Sequence, residues 1–151
     1  MQYLKDLIYN YILVSAVTSW FLAQILKVII NFSKMGKKSL ERFVGSGGMP
    51  SSHTALVCAA TIAAARLEGT GSSIFAICFI VTCVVMYDAL NVRRQAGEHA
   101  KVLNKLLRMH SEDTIGEDDE LKELLGHTPL EVLGGALLGI CVAMFYGILF
   151  F

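Results

Sequence analysis

The composition of this 151-residue chain is typical of a polytopic membrane protein. Hydrophobic residues make up 54% of the sequence, charged residues make up 17%, and the mean hydropathy is +0.56, which excludes an ordinary soluble domain. Lysine plus arginine and aspartate plus glutamate number 13 each, so the overall charge does not indicate a nucleic-acid partner. The length suits one domain, and we expect residues 1–151 to form one integral-membrane unit.

The first apolar run extends from Leu7 to about Ile30, and it is long enough to cross a bilayer core, which needs roughly 20 residues. No small-residue cleavage site follows it, so we interpret it as a retained anchor. Lys27, near its end, either reaches the lipid headgroups or acts as a ligand. A basic connector, residues 33–46, follows and carries Lys34, Lys37, Lys38 and Arg42.

A glycine turn, residues 47–54 with the sequence GGMPSSHT, leads into a second helix that ends near Leu67. Small residues let a ligand approach the backbone, and a helix start presents free N–H groups at the positive end of the helix dipole. Ser51 and Ser52 add hydroxyl donors, and His53 adds a group that can move a proton near neutral pH. The turn is therefore a candidate anion site.

Two different segments follow. The run from Ser72 to about Leu90 is apolar and long enough to be a full span, and it carries Asp88 near its end. In residues 91–110 apolar residues recur at spacings of three and four, which predicts an amphipathic helix that lies on the membrane surface or packs on a partner. None of the apolar runs alternates in polarity as a barrel strand does, which favours helices throughout.

The last span covers residues 127–151. Thr128 as helix cap and Glu131 three residues later form a capping box, which is a purely structural explanation of that glutamate. Gly135 and Gly139 give a GxxxG face, and we interpret it as a packing surface.

All the cysteines lie inside these apolar runs, and no two of them are spaced as CxxC. They are Cys58, Cys78, Cys83 and Cys141. We therefore expect neither a disulfide nor a zinc site, and interpret the cysteines as small residues buried in the membrane.

These elements predict an all-α fold: a polytopic membrane helical bundle of about four transmembrane helices plus one amphipathic interfacial helix. Eleven of the 13 lysines and arginines fall in the segments after the first and third spans, whereas Lys5 and Arg66 fall on the other side. This bias places the basic segments in the cytoplasm. Four spans also place His53 and His127 at the same membrane face.

That face collects two histidines at helix starts, two acidic residues, and several lysines and arginines. One imidazole can attack phosphorus while the other protonates the departing oxygen, and cations with backbone N–H groups can hold the remaining oxygens. The residue types therefore favour phosphoryl transfer through a phosphohistidine, and this chemistry requires no metal or cofactor.

Three phrases of the sequence, GGMPSSHTA, YDALNVRRQAG and GHTPLEV, resemble the divergent bacterial and plant branch of the type 2 phosphatidic acid phosphatase superfamily, to which acid phosphatases and vanadium haloperoxidases are related. The likeness covers nearly the whole chain. It implies a membrane phosphatase that hydrolyses a lipid or isoprenoid phosphate or pyrophosphate. We expect a bacterial plasma-membrane protein whose active-site loops are cytoplasmic.

The resemblance also implies roles for individual residues. His127 matches the nucleophile, and Glu131 stands where an aspartate usually orients that histidine. His53 matches the general acid. The phosphate pocket is expected to include Gly48, Ser51 and Ser52, with Lys27 or Arg42 in the part of the first basic motif.

Two family motifs are missing. No arginine–proline pair follows Lys27 at the expected distance, and Leu121 and Lys122 stand where a serine–arginine pair is expected. We expect Arg93 or Arg94 to supply the missing guanidinium, with Asp88 orienting one of them.

Other functions stay open. A non-catalytic protein that keeps the phosphatase shape, binds lipid headgroups and recruits a partner is one alternative, and a small transporter is a weaker one because no span carries a charge at its centre. Four spans are fewer than the six core helices of membrane-bound relatives, so two chains completing one bundle is a further possibility.

Overall fold

A computed structural model of the chain describes residues 2–35, 48–110, 121 and 126–150. Most of the described residues are helical, and none of them lies in a β-strand. The elements are α1 (Gln2–Ile8), α2 (Tyr11–Met35), α3 (Ser52–Glu68), α4 (Ser73–Tyr87), a π-helical turn (Asp88–Val92), α5 (Arg93–His110) and α6 (Pro129–Phe150). The prediction of an all-α membrane bundle is confirmed.

Helix α3 lies at the centre of the bundle, where it packs against α2, α4 and α6. Its alanines make this possible, because small side chains let three neighbouring helices approach one axis. Ala55, Ala59, Ala63 and Ala64 are completely buried. Among the described helices, α5 has its main contacts with the adjoining π turn, and its Asn104 side chain bonds the backbone of Leu121.

Helices α3 and α6 approach each other closely at two glycines. A side chain at Gly135 would collide with the Ser51 carbonyl, and a β-carbon at Gly139 would lie 2.9 Å from the Ala59 nitrogen. The prediction that these glycines form a packing face is therefore confirmed, and the face serves contact within the chain. Where α3 and α6 begin, next to this glycine face, the Ser51 N–H donates to the Glu131 carbonyl (2.9 Å).

Buried hydroxyl groups connect α3 and its neighbours to one another. The Ser19 hydroxyl of α2 donates to the Ala55 carbonyl (3.1 Å), and the Tyr11 hydroxyl donates to the Ala143 carbonyl of α6 (2.7 Å). The hydroxyls of Thr61 and Thr82 lie 2.8 Å apart between α3 and α4. Such bonds hold helices together in lipid, where apolar contact alone discriminates little between partners.

Three helical stretches among the described residues are long and apolar enough to cross a membrane, whereas four spans were predicted. They are Tyr11–Ile30, Ser73–Met109 and Pro129–Leu149. The difference is α3, whose 17 residues cover only about 25 Å. Its alanines contact other helices, so α3 needs less hydropathy than a helix that faces lipid.

Two helix boundaries differ from those predicted from the sequence. The first apolar run is divided before α2, because the Asn10 side chain accepts the Leu13 N–H (3.0 Å) and begins a new helix there. Helix α2 then continues to Met35, into the predicted basic connector. The predicted amphipathic segment corresponds to α5, and the structure adds that α5 continues directly from α4 through the π turn.

Replacing Gly139 with alanine should destabilise the protein. A methyl group there meets the α3 backbone, and overpacking of this kind costs about 1–3 kcal/mol, against a gain of roughly 1 kcal/mol in helix propensity. We expect a lower thermal unfolding midpoint for the purified protein in detergent. Gly71→Ala is the matched control, because a β-carbon at Gly71 meets nothing within 4 Å; equal midpoints for the two variants would contradict the packing described here.

Candidate active site

The π turn between α4 and α5 provides the attachment point for His127. The Arg93 N–H donates to the Asp88 carbonyl, five residues earlier, instead of to Ala89 as an α-helix requires. The Ala89 carbonyl is thereby available to the N–H of His127 (3.1 Å). A local change in helical hydrogen bonding thus fixes the backbone of a histidine that lies far away in the chain.

Gly126 allows this close approach. Its φ of +96° lies in the left-handed region, and a β-carbon there would lie 2.6 Å from the Arg94 nitrogen and 2.9 Å from the Arg93 carbonyl carbon. Any side chain at this position would push residues 126 and 127 away from the π turn.

Glu131 has two functions at the start of α6. Its carboxylate accepts the Thr128 N–H (3.0 Å), and its own N–H donates to the Thr128 hydroxyl (3.3 Å), so the predicted capping box is confirmed. The same carboxylate oxygen lies 3.0 Å from Nδ1 of His127. Because a carboxylate can only accept, Nδ1 carries the proton, and Nε2 of the neutral ring presents a lone pair.

Burial keeps the His127 ring neutral. The residue is only 6% exposed, and this desolvation lowers the pKa of His127 below its usual value, although Glu131 acts in the opposite direction. The positive charges of Lys27 and Arg93 lower the pKa of His127 further. At neutral pH the ring is therefore an unprotonated nitrogen base held in one orientation.

His53 is the second residue of α3, and it is exposed. Desolvation lowers its pKa, and so do the charges of Arg93, His127 and Lys27, while Asp88 raises it. These electrostatic interactions join His53 and His127 in one cluster with the cations. Both histidines lie outside the three candidate spans.

The serines of the glycine turn are buried in the start of α3. Ser51 is the N-cap of α3, since its hydroxyl oxygen accepts from the Thr54 N–H (3.5 Å) and from the Thr54 hydroxyl (3.0 Å). Ser52 is also buried. Gly48 has a φ of +101°, which explains the glycine before the Met49–Pro50 pair.

The candidate cations differ sharply in their surroundings. Lys27 is only 5% exposed and makes no hydrogen bond or ion pair with a described residue. Arg93 is held by Asp88, with 2.6 Å between its Nε and a carboxylate oxygen. Arg94 acts on Glu98 of α5 and on neither histidine. Arg42 lies outside the described residues.

Two contributions to the site were not predicted from the sequence, namely the Ala89 carbonyl and the absent side chain of Gly126. A π turn has no characteristic amino-acid composition, so the sequence did not indicate that the Ala89 carbonyl would be available. The glycine immediately before His127 was a visible signal. Within the described ranges, no group of three histidine, cysteine, aspartate or glutamate side chains is arranged to hold a metal ion.

Comparisons with known proteins agree with the resemblance noted in the sequence. Residues 8–142 match the model of a family described as the divergent PAP2 family. The chain is also similar to the uncharacterized membrane protein YuiD of Bacillus subtilis (strain 168), with 38% identity over 150 residues, covering 92% of this chain and 95% of the relative. No solved structure gives a significant match.

The Glu131→Gln variant tests the electrostatic coupling at His127. Because the Glu131 charge raises the pKa of His127 against the effect of burial, its removal should lower that pKa further. NMR titration of isotope-labelled histidine measures the shift. The control is Glu98→Gln, which removes an exposed carboxylate paired with Lys101 and should not change the pKa of His127. If Glu131→Gln also left the pKa of His127 unchanged, the His127–Glu131 pair would not be formed.

Proposed function

We propose that this chain, which belongs to the divergent PAP2 family, is a membrane phosphatase that hydrolyses a lipid or isoprenoid phosphate or pyrophosphate through a phosphohistidine. The observation that carries the proposal is the arrangement of His127. The ring is neutral, buried and oriented by Glu131, and its Nε2 makes no hydrogen bond to a described residue. Such a histidine suits nucleophilic attack.

In the first step Nε2 of His127 attacks phosphorus, and the bond from phosphorus to the ester oxygen breaks. The departing oxygen takes a proton from the His53 imidazolium. In the second step His53, now neutral, removes a proton from water as the water oxygen attacks phosphorus. The P–N bond breaks, its electrons return to Nε2, and inorganic phosphate is released.

Lys27 supports an anionic substrate. Lys27 is mostly buried, and its ammonium group has no hydrogen-bonding partner among the described residues. A cation in such surroundings is costly, and the Glu131 charge compensates it only at a distance. A phosphate group bound beside Lys27 removes this cost. Its negative charge also raises the pKa of His53, so substrate binding favours the protonated form that the first step needs.

Arg93 is the best candidate for the missing guanidinium of the family motifs. Its charge acts on both histidines, and Asp88 holds it through Nε. Both terminal nitrogens are left for phosphate oxygens, which a guanidinium binds in a fork. This supports Arg93 over Arg94 for the role.

The position of the cluster supports a lipid substrate. Lys27 lies near the end of the span Tyr11–Ile30, and Glu131 lies near the start of the span Pro129–Leu149. The cluster therefore meets the membrane surface, where lipid headgroups carry their phosphates. The basic segments near this end support a cytoplasmic orientation, and the similarity to a Bacillus subtilis membrane protein supports a bacterial plasma membrane.

A headgroup-binding protein without catalytic activity is the second candidate. It is favoured by Ser51, whose hydroxyl oxygen caps α3, and by the absence of two family motifs. This candidate predicts phosphate binding without turnover.

Phosphate release from long-chain lipid phosphates in detergent micelles tests the proposal. The wild-type protein should release phosphate, and His127→Ala should lower kcat by at least about 10³-fold because it removes the nucleophile. Orthovanadate, which resembles the trigonal-bipyramidal transition state, should inhibit. His99→Ala, at an exposed histidine of α5, is the control. Binding of lipid phosphate with no release by the wild type would instead support the second candidate.

The two arginines after the π turn should behave differently. Arg93→Gln should lower kcat/KM by about 10²-fold, as the loss of one donor to the transition state does, whereas Arg94→Gln should change it by less than about twofold. Parallel kinetics on the same lipid phosphate measure both variants. A larger effect at Arg94 would show that the guanidinium comes from the other residue.

A further inference from the structure

One face of α3 is left uncovered by the helices around it. At 100° per residue, Ala55 and Ala59 lie on the side that meets α2 and α6, and Val57 and Thr61 lie on the side that meets α4. The remaining side carries His53, Leu56 and Ala60. His53 is exposed and the other two are half-buried, whereas Ala59 and Thr61 beside them are buried.

This side lies between α2 and α4, which do not form one of the packed helix pairs of the described structure. We call it the α3 groove, defined by His53, Leu56 and Ala60 on its floor. From His53 to Ala60 it is about 10 Å long, and the exposed Leu67 continues the same face for another 10 Å or so.

Helix α2 forms one wall of the groove. Tyr11, Ser15, Ser19, Ala23 and Lys27 are four residues apart, and all are buried. Each step turns the row by about 40° around the helix. The row contacts α6 at Tyr11 and α3 at Ser19. At the end of the row the Lys27 charge acts on His53, which places Lys27 at the head of the groove.

Helix α4 and the π turn form the other wall. Thr82 packs on α3 through the Val57 carbonyl (3.1 Å). Asp88 and Arg93 follow at the end of this wall, and their charges act on His53. The head of the groove is thus the cation cluster of the candidate active site, and its floor below His53 is apolar.

We propose that the α3 groove binds the hydrocarbon chain of the phosphate-bearing lipid. Both walls belong to helices with candidate spans, so hydrocarbon and not water fills the groove. A lipid lying in it places its headgroup beside His53, Lys27 and Arg93. The inference rests on the proposed function, and it deepens it: the substrate reaches the site sideways from the bilayer, and its chain contributes to binding.

The groove also explains why Lys27 makes no hydrogen bond or ion pair within the part of the chain that the structure describes. A cation buried at the head of an apolar channel attracts the one part of a lipid that is anionic. Zwitterionic headgroups bring a cation of their own and fit the cluster less well. The groove therefore favours lipids whose only headgroup charge is phosphate.

The Ala60→Phe variant tests the groove. A phenyl group two helical turns below His53 fills the floor, and it should lower the ratio of kcat/KM for a long-chain alkyl phosphate to kcat/KM for p-nitrophenyl phosphate by at least about tenfold, since each buried methylene contributes to binding. The matched control is Ala76→Phe. Ala76 is exposed and lies seven residues, or two helical turns, before Cys83. Cys83 interacts electrostatically with Cys58, which lies on the side of α3 that meets Gly139 of α6. Ala76 is therefore outside the groove, and the ratio should not change.

A second measurement tests the groove without depending on whether the Ala60→Phe protein folds. His127→Ala protein is irradiated with a long-chain alkyl phosphate that carries a diazirine in its chain, and the adducts are mapped by mass spectrometry. Adducts at residues 56–60 are expected. Adducts confined to the outer face of α6, at Leu133 and Leu137, would overturn the proposal, as would an unchanged substrate ratio in a folded Ala60→Phe protein.

These experiments distinguish an error in the groove proposal from an error in the proposed function. Without phosphatase activity, the wild type releases phosphate from neither substrate, and the adducts alone decide whether the groove binds the chain. A second copy of the protein is the competing occupant. If Ala60→Cys forms a disulfide-linked dimer in membranes that the wild type does not form, a helix of the second copy fills the groove and the proposal is wrong.

Discussion

The Ser51 N–H donates to the Glu131 carbonyl because the backbones of α3 and α6 meet where Gly135 and Gly139 have no side chain. This contact sets the relative position of two helix starts in the direction along the membrane normal. One start carries His53 and the other carries His127 with Glu131. If larger residues held α6 away from α3, the two imidazoles would belong to separate surfaces, and protonation of one would not affect the other. Close packing of small residues is therefore a condition for the cluster.

Several residues of the cluster stabilise the fold and shape the chemistry with the same atoms. The Glu131 carboxylate caps α6 and fixes the tautomer of His127. The Asp88 carbonyl closes the π turn, while the Asp88 side chain holds Arg93. A capping explanation and a catalytic explanation of one glutamate are thus compatible. Structural economy of this kind is useful at a membrane face, where every additional polar group needs a partner.

The helices, the capping box and the glycine face could be predicted from the sequence because each depends on residues close together in the chain. The rest depends on tertiary contacts. Arg93 and Arg94 are adjacent and chemically identical, and only the π turn brings Arg93 to Asp88 and leaves Arg94 with Glu98. Helix α3 was interpreted as a span because an apolar helix enclosed by neighbours and one exposed to lipid have similar composition. The α3 groove could be identified only once the packed helix pairs were known.

The π turn also constrains the number of residues in its segment. Removing Leu90 or Asn91 would place Asp88 four positions before Arg93 and Ala89 four positions before Arg94, so that both carbonyls would accept N–H groups as in a regular helix. The acceptor for the His127 N–H would then be occupied, and every residue of α5 would rotate by about 100° relative to α4. Substitutions that keep the spacing preserve this geometry, whereas a single deletion does not. The number of residues between α4 and α5 therefore matters more to this geometry than the identity of most side chains there.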